Sequence, residues 1–265
     1  MKRCMLTKEQ LKKLAKQNQA TEFVVLREYL QVLFLQHLYS KTHAKNIFFK
    51  GDTAIRLLLY GTRFSEDLDF TVNMSHDEFK KFIEGIFAEF IRLNEGIVIK
   101  PKKSITGLVY VIRAKVSYHK APIFIRLDFS LREKVLLPKS YIMETQYPVV
   151  FTNFVYSMDK GELLAEKIRA LLTRNKPRDL YDLWFLLQLG AQFNNELVQY
   201  KLKYYGLRYT PRLIQKALNK FTVEDFIKDL RPFVTTPEKK DLAARFEYIR
   251  EYVRRRLEIK WQEES

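Results

Sequence analysis

The stretch from Phe48 to Phe70, FFKGDTAIRLLLYGTRFSEDLDF, constrains this chain more than any other. It reads as a short apolar strand, a turn at Gly51, a helix, and a second strand carrying Asp67-Leu68-Asp69. Strand side chains alternate between faces, so two carboxylates one residue apart point the same way, about 7 Å from each other. Acids are disfavoured in strands. An unpaired buried carboxylate is costly, so such acids pair with a cation or bind a metal. Upstream, Lys50-Gly51-Asp52-Thr53 opens a helix, and a helix N-terminus attracts phosphate. Together these features point to metal-assisted chemistry on a nucleotide.

A third acid follows. In the apolar run Ile123 to Leu131, Ile123, Ile125, Leu127 and Phe129 share one face, while Phe124, Arg126 and Asp128 share the other. Asp67, Asp69 and Asp128 can therefore hold Mg2+, and two such ions can activate a hydroxyl nucleophile and neutralise a pyrophosphate leaving group. Backbone N–H groups at Gly51–Thr53 would then face the triphosphate of an NTP. The structural alternative is that these acids merely pair with Arg63, Arg113 or Arg126.

The flanking sequence divides the chain in two. Residues 1–157 read as a core of helices (6–40, 54–60 and from Ser75) and strands (47–49, 68–72, 97–99, 109–116 and 123–131). In this reading Asp52 or Thr53 caps the helix Ala54–Tyr60, and Gly61 ends it. Residues 158–265 read as a helical domain: helices from Gly161, a junction at Pro177, and two more near 211–230 and 237–260. The fold class expected is α+β, with an all-helical C-terminal domain.

Of the 265 residues, 47 are Lys or Arg and 31 Asp or Glu, giving a formal charge of +16. That balance favours polyanionic partners, RNA among them. Cys4 is the single cysteine, which excludes an intrachain disulfide. The four histidines have no zinc spacing. MKRCMLTKEQLKK holds no apolar run of the signal-peptide kind, and the most apolar helix is interrupted by Arg27 and Glu28. A cytoplasmic protein that spans no membrane is expected.

The ordered set Gly-x-Thr-Ala-x-Arg, Arg-x-Ser-x-Asp-Leu-Asp and Leu-Asp-Phe resembles the DNA polymerase β-like nucleotidyltransferases, and more narrowly the AbiEii/AbiGii toxin family. Glu166-Lys167-Ile168-Arg169-Ala170 is similar to that family's lysine helix. Arg178-Asp179-Leu180-Tyr181-Asp182-Leu183 is similar to its closing signature. The matching motifs run from about residue 48 to 187. One departure is Asp52, which stands where the superfamily carries Gly or Ser.

The resemblance implies a polymerase β-like core with a mixed sheet, and Mg2+-dependent transfer of NMP from an NTP to an acceptor hydroxyl. It implies the tRNA 3′ end as acceptor, a toxin role and a cognate antitoxin. It assigns metal binding to Asp67, Asp69 and Asp128. Lys167 and Asp182 complete the catalytic set, with Asp182 orienting Lys167. Gly51, Asp52, Thr53, Arg56, Ser65, Lys167 and Arg178 are the candidate NTP contacts. Arg56 and Arg63 either touch phosphate or pair with acids. Asp179 and Asp182 can also cap their helix and pair with Arg178. Arg254-Arg255-Arg256, with Tyr252 and Trp261, and the cluster Lys100, Lys102, Lys103 are either RNA contacts or solvated faces. Two rival readings stay open: a protein or small-molecule acceptor, and a non-catalytic RNA- or partner-binding module.

Overall fold

The computed structural model describes residues 6–104 and 107–264, and for 259–264 the backbone alone. Cys4 and the side chain of Trp261 lie outside the described residues. The chain forms two compact units, residues 1–158 and 159–265.

The first unit is built on a seven-stranded mixed sheet in the order β3-β4-β5-β2-β1-β7-β6. Its strands are β1 (Ile47–Lys50), β2 (Leu68–Val72), β3 (Ile97–Lys102), β4 (Leu108–Ala114), β5 (Ile123–Ser130), β6 (Pro138–Tyr141) and β7 (Val155–Met158). The acid-bearing β2 lies in the middle, antiparallel to β1 and parallel to β5. Helices α1 (Lys8–Gln17), α2 (Glu22–Tyr39), α3 (Gly51–Leu58) and α4 (His76–Leu93) complete the unit. Capping boxes at Thr7/Gln10 and Ser75/Glu78 start α1 and α4, each satisfying N–H groups that a helix end leaves open. Helix α2 is buried nearly all round and α4 is amphipathic, with Phe79, Ile83, Ile86, Phe87 and Phe90 turned inward.

The core holds a run of aromatic rings. Phe70 of β2 stacks on Phe129 of β5, with centroids 4.8 Å apart. Phe49 and Phe79 close on this pair at 5.5 and 4.9 Å. Burying these rings on one face fixes the strand register, since a one-residue slip would turn them outward. The same register sends the intervening residues to the other face.

The second unit is all helical: α5 (Lys160–Arg174), α6 (Pro177–Gln188), α7 (Asn195–Lys203), α8 (Pro211–Leu218), α9 (Val223–Leu230) and α10 (Glu238–Glu264). Pro177 occupies the first turn of α6, where its missing N–H costs nothing.

Several sequence expectations are corrected. Helix α3 starts at Gly51 and ends at Leu58 rather than running from Ala54 to Tyr60, and Tyr60, not Gly61, takes the left-handed backbone (φ 58°). Neither Asp52 nor Thr53 caps it, because Lys50 holds the N-cap position without a side-chain bond. Strands β6 and β7 and helix α7 are additions to the expected elements: both strands are four residues long, and α7 carries no clean apolar stripe. The helix expected over 211–230 is two, because Thr222 and Asp225 form a capping box that restarts the chain as α9.

Candidate active site

The register that packs Phe70 on Phe129 also sets Asp69 beside Asp128 on adjacent parallel strands, and Lys50 beside Asp69 on the other side. Asp69 and Asp128 are half-buried and Asp67, one residue before β2, is exposed. Burial pushes the Asp69 carboxyl up to about 7. Its acidic neighbours Asp52, Asp67 and Asp128 push the same way, and Lys50 opposes them only in part. Asp52, Asp67 and Asp128 thus crowd Asp69 and disfavour its ionisation.

Local geometry holds the patch in place. Gly51 has φ +78°, a conformation that L side chains rarely adopt. A Cβ there would also collide with Asp69 Oδ2 and lie 3.1 Å from its Cγ. The chain can therefore enter α3 directly above Asp69 only through glycine. The Thr53 hydroxyl donates to the Asp67 carbonyl and ties the helix to the approach of β2. Arg63 pairs with Asp52 at 2.7 Å, and Arg126 with Asp128 at 2.7 Å. The arginine pairing that is the alternative to a metal is thus present at Asp128. The donor set fits a hard divalent cation all the same: oxygen-rich, anionic, and with Asp69 held near neutrality by burial and like charge. Nothing caps the N-terminus of α3 by a side chain, which suits an anion at that end.

The second unit carries another set of acids. Lys167 of α5 is 4% exposed, so it is no surface lysine. Its Nζ lies 2.5 Å from Asp182 and 3.2 Å from Asp179, both on α6. Arg174 adds 2.6 and 2.7 Å hydrogen bonds to Asp179. On α5, Glu162 and Glu166 stand one turn apart and receive Lys201 of α7 at 2.7 and 3.0 Å. Burial alone would lower the Lys201 ammonium, but Glu166 and Glu162 outweigh it and hold the group above its ordinary value. Every acid of this network has a basic partner.

The family described as nucleotidyl transferase AbiEii toxin, type IV toxin–antitoxin system, matches residues 33–255. The chain belongs to the AbiEii family. As an AbiEii protein it is a nucleotidyltransferase toxin of a type IV toxin–antitoxin system. Its fold is similar to that of MenT4, a nucleotidyltransferase toxin from Mycobacterium tuberculosis H37Rv. The two share 18% identity over 94% of this chain and 89% of that one, with a TM-score of 0.62. It is also similar to JHP933 from Helicobacter pylori, with 22% identity over 92% and 97% of the chains and a TM-score of 0.57. No curated protein sequence matches it. Among the described residues, no helix is long and apolar enough to cross a membrane.

Several candidate residues of this AbiEii chain are engaged elsewhere. Arg56 is held by Glu28 at 2.8 Å and by the Gly61 carbonyl at 2.8 Å, and lies over the Phe64 ring. Arg178 pairs with Asp229 at 3.8 Å, and Asp229 also accepts from the Arg178 backbone N–H, so Arg178 is not the partner of Asp179. Neither Asp179 nor Asp182 caps α6, whose N-cap is Lys176 without a side-chain bond. The backbone carbonyl of Ser65 accepts from Gln31 at 3.2 Å. In α10, Arg254 and Arg255 bind Glu251, and Arg254 also binds Glu258. Lys50 and Lys201 escape a reading of the sequence, since their roles come from pairings across strands and helices that no local motif encodes.

Proposed function

We propose that this AbiEii toxin transfers a nucleoside monophosphate from an NTP to the 3′-terminal hydroxyl of an RNA, tRNA being the acceptor class. The observation that carries this reading is the carboxylate patch. Asp69 and Asp128 stand side by side, with Asp69 pressed toward neutrality, under a glycine that leaves room for nothing else. Asp67, Asp69 and Asp128 would hold the divalent cations, with Mg2+ the natural choice for an oxygen donor set working on phosphates. When bound, such ions supply neutralisation of the triphosphate and lower the pKa of the attacking hydroxyl.

The chain's own groups do the rest. The uncapped N–H groups at Gly51–Thr53 receive phosphate oxygens. Arg63 neutralises Asp52, so the carboxylate that departs from the family pattern does not confront the triphosphate as a bare charge. Ser65 offers its hydroxyl to the same phosphates. Lys167 is joined to the reaction by the family motifs, with Asp182 setting its direction. Arg56 and Arg178, given their partners, support the fold around the site. The acceptor assignment draws on the +16 charge, since phosphate neutralisation dominates nucleic-acid affinity. A cytoplasmic setting and a neutralising antitoxin belong to the same reading.

The test incubates the protein with each of four labelled NTPs, Mg2+ and total tRNA. Label that enters RNA, with one NTP preferred and EDTA abolishing transfer, is the expected result. Label confined to ribonuclease-resistant protein would refute the RNA acceptor.

A further inference from the structure

Between Glu196 and Glu224 the chain contains no acidic residue, yet it holds six lysines and arginines. One, Lys201, is buried in the α5 network. The other five, Lys203, Arg208, Arg212, Lys216 and Lys220, are exposed, and none forms an ion pair among the described residues. Arg212, Lys216 and Lys220 recur at intervals of four, about 6 Å per step where helical, so they form one line along and beyond α8.

Both stretches border open grooves. One, of about 670 Å³, is lined by Tyr200, Lys203 and Arg208, with Glu196 as its one acid among the described residues. The next along the chain, of about 730 Å³, is lined by Arg212, Lys216 and Lys220. Tyr204 and Tyr205 are exposed at the end of α7; Tyr204 stands edge-on to Tyr200 at 6.0 Å, whereas the Tyr205 ring already carries the Arg169 guanidinium at 5.1 Å, which leaves Tyr204 to stack. Unpaired cations in a row beside an exposed ring suit a phosphate backbone with bases free to stack. An acidic polypeptide would use the charges and leave the ring idle. The arginine run of α10 differs, because Arg254 and Arg255 already answer to Glu251.

We propose that the α7–α8 face is the docking surface for an RNA backbone. Resting on the reading above, that RNA is the acceptor. The cations hold phosphates without reading sequence, and Tyr204 offers stacking to an unpaired base. Docking here sets the affinity for RNA and leaves NTP binding to the carboxylate unit.

The experiment measures retention of labelled total tRNA by the full chain at 50 to 200 mM salt. The variant Lys203→Gln/Arg208→Gln/Arg212→Gln/Lys216→Gln/Lys220→Gln is compared with Arg255→Gln/Arg256→Gln, and thermal melting verifies both folds. The five-site variant should bind at least about tenfold more weakly at 100 mM salt, with a salt slope flatter by about three. Its KM for RNA should rise, with KM for NTP unchanged. The α10 variant should bind within about twofold of wild type. Equal binding by the five-site variant, or no RNA retained by wild type, overturns the proposal. So does a loss of polyglutamate binding as large as the loss of RNA binding, which assigns the face to an acidic protein. Label transfer scores the acceptor separately. RNA bound on this face with label entering only protein removes the acceptor reading and keeps the surface, whereas transfer to RNA with undiminished variant binding does the reverse.

Discussion

Asp69 and Asp182 are both carboxylates set among apolar side chains, yet their neighbours differ in sign. Around Asp69 stand Asp52, Asp67 and Asp128, with Lys50 as a partial counterweight. Around Asp182 and Asp179 stand Lys167 and Arg174, and one helix face away Lys201 answers Glu162 and Glu166. Breaking a buried pair is costly because it strands a charge, so the helical network stabilises by being complete. The sheet cluster is held against its own repulsion by the surrounding packing. A protein keeps such a cluster when a ligand relieves it, and perturbed carboxylates of this kind gather at functional sites. In the function proposed above, the difference separates acids that hold the fold from acids whose crowding a bound cation would relieve.

The sharpest way to break this comparison is to remove one acid from the sheet. Asp69→Asn should lower transfer by about a thousandfold or more, since a metal-binding carboxylate acts in the transition state and has no substitute. Circular dichroism should remain that of the wild type, and melting should stay a single cooperative transition. Activity within tenfold of wild type would place the cations elsewhere.

Next comes removal of one base from the helical network. Lys201→Met should destabilise the protein by about 3–5 kcal/mol, measured by urea unfolding, because Glu162 and Glu166 lose their shared ammonium inside the fold. The triple variant Lys201→Met/Glu162→Gln/Glu166→Gln should recover much of that loss. A fully stable single variant would mean that the glutamates find solvent or another partner.

Titration sharpens the contrast further. Asp69 has its folded-state pKa raised from the ordinary 3.8 to about 7, so the folded chain binds a proton over that window more readily than the unfolded one. Stability of the metal-free protein is therefore lost as pH rises from about 4 to 7 and does not fall further on this account above 7. A tenfold difference in proton affinity between the two states is worth about 1.4 kcal/mol. With relaxation of the half-buried site, Asp69→Asn should stabilise the metal-free protein by about 2 kcal/mol at pH 8 and by almost nothing at pH 4. Mg2+ at a hundred times its Kd should add about 3 kcal/mol to the wild type and nothing to the variant. Melting curves at the two pH values, with and without Mg2+, decide the matter, and equal pH profiles for the two proteins would remove the electrostatic account.

Much of the sheet unit is legible in the amino-acid sequence. β2 matches its expected span, and the alternation of β5 places Asp128 opposite its buried partners, because period 2 over eight residues is a strong local signal. What local pattern cannot carry is register. That Asp69 meets Asp128 on one side and Lys50 on the other depends on how β2 aligns with strands far along the chain. The same limit explains Asp52. A cap is a local guess and Arg63 a distant answer, reached only when the loop after α3 folds back. Arg178 illustrates it again, bound to Asp229 fifty-one residues on. Motifs single out Lys167 and Asp182, but their burial, the property that distinguishes them from surface charges, comes from packing between helices.

The smallest effect concerns a residue that touches both the phosphate turn and the acids. Thr53 presents its backbone N–H at the start of α3, while its hydroxyl donates to the carbonyl of Asp67. Thr53→Val keeps the N–H, the shape and the branching, and removes only that bond. A buried hydrogen bond contributes about 1 kcal/mol, so stability should fall by that amount. Asp67 precedes β2 and its carbonyl accepts the Thr53 hydroxyl, so losing the tie should shift its backbone and lower kcat about tenfold. KM for NTP should hold, since the amide is intact, and Thr53→Ser should restore the rate. If Thr53→Val instead raises KM with kcat unchanged, the hydroxyl serves the triphosphate and the sheet acids are positioned without it.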